Sequence, residues 1–221
     1  MKRLYLIPVR DACPANCTFC YMKEKEIDYK KPQFIDVSKL EKAISGIDDF
    51  EEVEITGGGD PLLHKDIQEI INLFRGKYVK LYTEGFLLKE ISGIDELNLS
   101  RVHWNSSINN FFYRSKLQNE LDETLNFYRP KVGKIRMQTI LIKGAIDSIE
   151  KIKEFVTIYE NKVDIFMFRE LFPACSLEKD KFVGYFDFSH PKVMFDRTLD
   201  SYSRDLYFIE SDSVVHNDFQ Y

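Results

Sequence analysis

Short apolar runs alternate with amphipathic stretches along the first 173 residues, and this alternation limits the folds open to the chain. Strands are predicted over 3–9 (RLYLIPV), 51–59 (EEVEITGGG), 78–85 (YVKLYTEG), 101–108 (RVHWNSSI), 134–144 (KIRMQTILIKG) and 163–173 (VDIFMFRELFP). Apolar residues at helical spacing predict helices over 37–47, 66–76, 114–129 and 147–160. Asp36 or Ser38 is available to cap the first of these, Gly76 to end the second and Pro130 to stop the third, in which Leu117, Leu121 and Leu125 recur at four-residue steps. Residues 91–100 read as a short irregular segment with one or two helical turns. Six strand-then-helix units call for a parallel sheet covered by helices. Right-handed crossovers curl such a sheet in one sense. The expected fold is α/β, a partial (β/α)6 TIM-like barrel over 1–173 with a short β-rich C-terminal extension over 174–221 packed on it.

In such folds, sites lie at the carboxyl ends of the strands. The unusual residues fall there: the cysteine loop ACPANCTFC after the first strand, TGGGDP after the second, TEG after the third, NSSIN after the fourth and RELFP after the sixth. The net charge of −5 argues against a broad basic surface for nucleic acid. No run of eighteen apolar residues exists to span a membrane. The N-terminal apolar run is broken by Pro8 and Arg10 and reads as a strand, not a signal peptide. A cytoplasmic setting with reduced thiols is expected, and four cysteines in 221 residues do not make a disulfide framework.

Cys13, Cys17 and Cys20 sit on one loop, and the remaining cysteine, Cys175, is far off in sequence. A closed zinc site wants four ligands and would need Cys175 or a distant histidine such as His64. An iron–sulfur cube on three thiolates would instead leave one iron open to a small molecule, which is a catalytic arrangement.

CPANCTFC resembles the CxxxCxΦC signature of the radical S-adenosylmethionine (AdoMet) superfamily, with Phe19 as the aromatic residue. The resemblance implies a [4Fe–4S] cluster on Cys13, Cys17 and Cys20, with Phe19 against the adenine region. It also implies AdoMet on the fourth iron, and reductive cleavage to a 5′-deoxyadenosyl radical that takes hydrogen from substrate. TGGGDPLL resembles the family's GGE motif, which holds the methionine ammonium. Gly57, Gly58 and Gly59 would let backbone approach the ligand, and Asp60 stands where Glu is usual. TEG resembles the TNG end of the third strand, with Glu84 where Asn is usual. NSSIN resembles the SLD of the fourth, placing Ser107 and Asn109 near the ribose, and Gln138 is a candidate for the methionine carboxylate or ribose.

Substrate-side candidates on the same rim are Arg169 and Glu170, with Arg10 before the cluster loop. His103 and Trp104 read as packing residues at least as readily as site residues. Cys175 reads as a hydrogen-atom donor or as an inert turn residue, and too few cysteines remain for a second cluster. The aromatic C-terminal tail would cap the barrel, cover substrate or form a dimer surface. The resulting expectation is a single-cluster enzyme acting on a small molecule or a modest peptide, supplied with electrons by a donor such as flavodoxin or ferredoxin. The alternatives are a ring-contracting enzyme like 7-carboxy-7-deazaguanine synthase, a comparison by size and cluster number, and a non-catalytic iron–sulfur or zinc protein.

Overall fold

A computed structural model describes residues 2–20, 31–47, 49–117, 119–170, 188–196, 206–210, 213 and 215–216. Its main sheet contains β1 (Lys2–Leu6), β4 (Phe50–Ile55), β5 (Tyr78–Thr83), β6 (Ile94–Ser100), β7 (Val132–Leu141) and β8 (Ile165–Glu170), side by side in chain order and all parallel. β9 (Val193–Asp196) joins the β8 side in parallel. β10 (Leu206–Ile209) joins the β1 side in parallel, with β11 (Val215–His216) antiparallel outside it. The C-terminal strands therefore extend the six-stranded sheet at both of its sides. A separate pair, β2 (Val9–Arg10) with β3 (Gln33–Phe34), forms because Pro8 breaks the first apolar run in two.

Register explains the core. Leu6, Ile55, Leu81, Leu97 and Ile135 pair successively across five strands, so one sheet face carries a continuous apolar row. That face packs on Leu40 of α1 (Val37–Ile44), Ile70 of α2 (Ile67–Asn72), Leu125 of α4 (Leu121–Tyr128) and Phe155 of α5 (Ile149–Tyr159). The opposite face is ionic. Lys80 reaches Glu52 at 2.8 Å and Glu54 at 3.6 Å, Arg136 reaches Glu96 at 2.9 Å, and the Tyr82 hydroxyl donates to Glu54 at 2.8 Å. Period-two alternation sends these charged residues away from the helices.

Three expectations are corrected. The fourth strand is 94–100, not 101–108, and the segment read as irregular is this strand. Its polar residues hide the pattern because their partners lie on other strands: Asp95 accepts from the Val79 N–H at 2.8 Å and Glu96 pairs with Arg136. Residues 106–113 are instead α3 (Ser106–Tyr113), since the Asn105 side chain accepts from the N–H groups of Ser107 and Ile108 and caps a helix. The long helix over 114–129 is only Leu121–Tyr128. Arg114 adopts a left-handed conformation that ends α3, and Leu117 is left exposed. No helix occupies 84–93, between β5 and β6, so both α3 and α4 follow β6. Asp36 is the cap of α1, accepting from the Lys39 N–H at 3.0 Å. No described helix is long and apolar enough to cross a membrane.

Candidate functional site

The cysteine loop leaves β2 through Asp11, whose φ of 61° is left-handed, a conformation short polar side chains tolerate. It is then held from two sides. On one side lies the glycine run after β4: Asp11 N–H donates to Gly58 O at 3.2 Å, and Asp60 N–H donates to Ala12 O at 3.0 Å. Gly59 makes this contact feasible, because a Cβ there would fall 1.9 Å from the Ala12 carbonyl oxygen. A Cβ on Gly57 would fall 2.0 Å from the Gly59 oxygen. On the other side is the C-terminal end of α3, whose otherwise orphaned carbonyls accept loop donors: Asn16 N–H to Tyr113 O at 2.8 Å and Thr18 N–H to Phe112 O at 2.9 Å. Ser115 Oγ adds a bond to Pro14 O at 3.1 Å.

A small apolar cluster of Cys17, Phe19, Phe86, Val102, Phe112, Tyr113, Ile142 and Ala145 lies against the loop. Phe19 meets Tyr113 edge to face at 5.2 Å. Cys17 is buried, Cys20 intermediate and Cys13 exposed as a whole residue. The Cys13 sulfur nonetheless faces Glu84 and donates to its Oε1 at 3.2 Å. Burial and then the Glu84 carboxylate push this thiol's pKa well up, so an incoming metal must displace its proton.

The glycine motif places its acid inward. Asp60 is fully buried; Oδ1 accepts from Leu62 N–H at 2.8 Å and Oδ2 from the Thr83 hydroxyl at 2.7 Å, capping the 3₁₀ turn Pro61–Leu63. Burial and then Glu84 raise its pKa well above the carboxylate range. Glu84 itself is positioned by Arg101, whose Nη1 donates to the Glu84 carbonyl at 2.7 Å. Arg101 is 2% exposed, bonds Thr124 Oγ1 at 3.2 Å and lies 4.9 Å over the Phe86 ring. Nothing in the order of residues marks Arg101 as a buried cation behind the site; its position at the end of β6 emerges only once β6 is placed correctly.

A cleft of about 660 Å³ opens between the loop, α3 and the segment after β7, with Thr18, Ser107, Ile108, Phe112, Ile142 and Gly144 among its walls. This volume suits a cofactor-sized ligand. The Oγ1 of Thr18 is buried there without a hydrogen-bond partner. Asn109 is turned inward, its Oδ1 accepting from Val102 N–H at 3.1 Å. Gln138 sits on β7 between Ser100 and Met167 in register, on the face away from the helices, and its carbonyl accepts from Arg101 N–H. Arg169 shares that face by alternation, whereas Glu170 follows Phe168 onto the other. His103 is buried and stacks on Trp104 at 4.0 Å, which stacks on Phe155, so both pack on the core side. Arg10 pairs with Glu210 beyond β10. His64 is buried, its Nε2 bonded to Ile35 O at 2.9 Å, well removed from a ligand role. Cys175 lies outside the described residues.

Among the described residues, no three His, Cys, Asp or Glu side chains gather closely enough for a single metal ion. A cluster asks something different, three thiolates each on its own iron. The site meets that demand with three thiols on one anchored loop. Beside them lie a backbone cradle that side chains would fill and buried acceptors without donors at Asp11 Oδ1 and Glu84 Oε2.

A mostly parallel, curled α/β sheet with this loop at its carboxyl rim defines a class, and the match to the radical SAM superfamily over residues 7–156 places the chain in it. The chain belongs to the radical SAM superfamily, a family of enzymes that use a [4Fe–4S] cluster and AdoMet. Among relatives, a GTP 3′,8-cyclase of Aquifex aeolicus (strain VF5) is 27% identical over 172 residues, covering 70% of this chain and 52% of its own length. The chain thus spans about half the length of that relative. Among solved structures, Streptococcus suis SuiB bound to the precursor peptide SuiA superposes with a TM-score of 0.70 at 16% identity, over 98% of this chain and 59% of SuiB. The anSMEcpe protein with bound AdoMet superposes at 0.55 and 15% identity, over 75% of this chain and 49% of that one. Both likenesses show the shared fold.

Proposed function

We propose that this chain is a radical SAM enzyme in which Cys13, Cys17 and Cys20 hold one [4Fe–4S] cluster and the adjoining rim holds AdoMet. The carrying observation is the anchoring of the cysteine loop between the glycine run and α3, which fixes the loop that carries the three thiols and brings Cys13 against Glu84. When bound, the cluster and AdoMet supply a 5′-deoxyadenosyl radical that takes a hydrogen atom from substrate. The chain's own work is to bind, orient and shield. Gly57 to Gly59 keep backbone close enough to line the methionine end. Thr18, Ser107 and Ile142 line the cleft that takes the nucleoside end, with apolar walls and hydroxyls. Asp60 and Thr83 hold the glycine loop in place. Gln138 and Arg169 face the substrate side of the sheet.

The substrate is a small molecule or a modest peptide. A relative named for a nucleotide cyclase and a neighbour holding a precursor peptide support these two classes. The comparison with a ring-contracting deazaguanine enzyme rests on size and cluster number. A flavodoxin- or ferredoxin-type protein supplies the electron. Residues 174–221 act as an extension of a core over 1–173, a division supported by the C-terminal strands adding at both sides of the sheet.

Anaerobic reconstitution should give about four irons per chain, and AdoMet with dithionite should then yield 5′-deoxyadenosine. Cys17→Ala is expected to lose both. Full cleavage by Cys17→Ala, or one tightly held zinc in place of iron, would overturn the reading.

A further inference from the structure

Two carboxyl groups stand beside the cysteine loop, and they are not equivalent. Asp60 has no exposed surface. One of its oxygens is taken by a backbone N–H and the other by the Thr83 hydroxyl, while its own N–H is spent on Ala12. All of these bonds run inward to the 3₁₀ turn, to β5 and to the cysteine loop. Glu84 follows β5 directly and is only partly buried. Its Oε1 takes the Cys13 thiol, and its Oε2 is buried and meets no N–H or O–H donor. Its backbone is clamped by Arg101, and Thr83 Oγ1 accepts from the next N–H, of Gly85, at 3.0 Å. A Cβ on Gly85 would strike Thr124 at 2.8 Å, so the Glu84 backbone is fixed from behind as well.

A buried carboxylate oxygen without a donor is costly unless a ligand supplies one. Asp60 lies within hydrogen-bonding reach of Glu84, but burial disfavours charge on Asp60 and leaves Glu84 as the carboxylate of the pair. The complement is a cation with several N–H donors. Resting on the AdoMet reading above, we infer that Glu84, and not Asp60 of the glycine motif, receives the AdoMet ammonium group. Asp60 is a positioning residue: it holds the turn and Thr83, and through them the place where Glu84 stands. The extra methylene that Asp60 lacks relative to the usual Glu of the motif is thereby supplied from the neighbouring strand, where Glu replaces the usual Asn.

The test compares equilibrium binding of AdoMet with that of its deaminated analogue, which carries a 2-oxo acid in place of the amino acid, on anaerobically reconstituted full-length chain with iron content checked. Loss of a charge-assisted hydrogen bond should weaken AdoMet binding by roughly 10- to 100-fold in Glu84→Gln. Binding of the analogue should change little, so the preference for AdoMet collapses. Asp60→Asn should retain that preference while melting at a lower temperature. Glu84→Asp keeps the charge and should keep part of the preference; it serves if the Gln variant does not take up iron. An unchanged preference in Glu84→Gln, a collapsed one in Asp60→Asn, or in an iron-loaded Glu84→Asp a preference no better than that of an apolar replacement, Glu84→Leu, overturns the assignment. If the wild-type chain takes up no iron or binds no AdoMet, the AdoMet reading itself falls.

Discussion

Gly59→Ala tests the junction on which the site is built. The new Cβ would sit 1.9 Å from the Ala12 carbonyl oxygen, and ordinary contact begins at 3.4 Å, so the two backbones must part by about 1.5 Å. Neither is the end of a flexible side chain, and neither can swing aside. Forcing a methyl into a filled space costs about 1–3 kcal/mol. The bonds from Asp60 to Ala12 and from Asp11 to Gly58 cross the same junction and are worth about 1 kcal/mol each. A total of about 3–5 kcal/mol lowers the melting temperature by roughly 6–20 °C for a chain of this size. The functional loss should be larger, because a displacement of about 1 Å at a reacting centre costs on the order of 100-fold. Gly46→Ala is the control. Its Cβ would meet nothing closer than Ala43 O at 3.9 Å, and the change should be neutral or stabilising by about 0.5 kcal/mol. Thermal unfolding by circular dichroism, iron content and 5′-deoxyadenosine formation are the assays. A Gly59→Ala chain that melts within 2 °C of wild type (about the error allowed by the size scaling) and cleaves AdoMet at the wild-type rate would refute the reasoning.

Burial and then Lys151 hold the His103 pKa down, to about 4, and its Nδ1 accepts from Asn105 N–H at 2.9 Å, which needs the neutral ring. The unfolded chain takes the proton near 6.5 and the folded chain resists it. The contribution is therefore complete above pH 6.5 and is lost as pH falls toward 4, at most about 3 kcal/mol. His103→Gln should flatten urea-unfolding stability across that window; an unchanged slope would remove His103 as the cause. Arg101→Lys cannot bond both the Glu84 carbonyl and Thr124 in the planar geometry of a guanidinium, and should cost about 1–3 kcal/mol in urea unfolding. It should also weaken AdoMet binding at equal iron content, and wild-type values for both would show that the clamp is idle.

The parallel order of β1, β4, β5, β7 and β8 was legible because each strand announces itself by its own apolar residues and the turn chemistry after it. β6 was not legible. Its Asp95, Glu96 and Asn98 break the apolar pattern, and their partners, Val79, Arg136 and Glu96, include residues of β5 and β7. That error moved the next segment as well, since NSSIN then looked like a strand end although Asn105 caps a helix. The helix over 114–129 was overextended because Leu117 continues the four-residue step of Leu121 and Leu125 while lying beyond the turn at Arg114.

Along the chain alone, the covalent spacing of Cys13, Cys17 and Cys20 puts three thiols on one short loop, and period-two alternation decides which residues of a recognised strand share a face. These properties belong to a segment and need no partner. Which carboxyl is committed and which is open is a tertiary matter. Asp60 and Glu84 are both acids after strands, and only the arrival of Thr83 at the one and of Cys13 at the other separates them. The same holds for Arg101, for the α3 carbonyls that anchor the cysteine loop and for the C-terminal strands at both sides of the sheet. Each depends on a contact between residues distant in sequence, and such contacts are set by the packing of the whole chain.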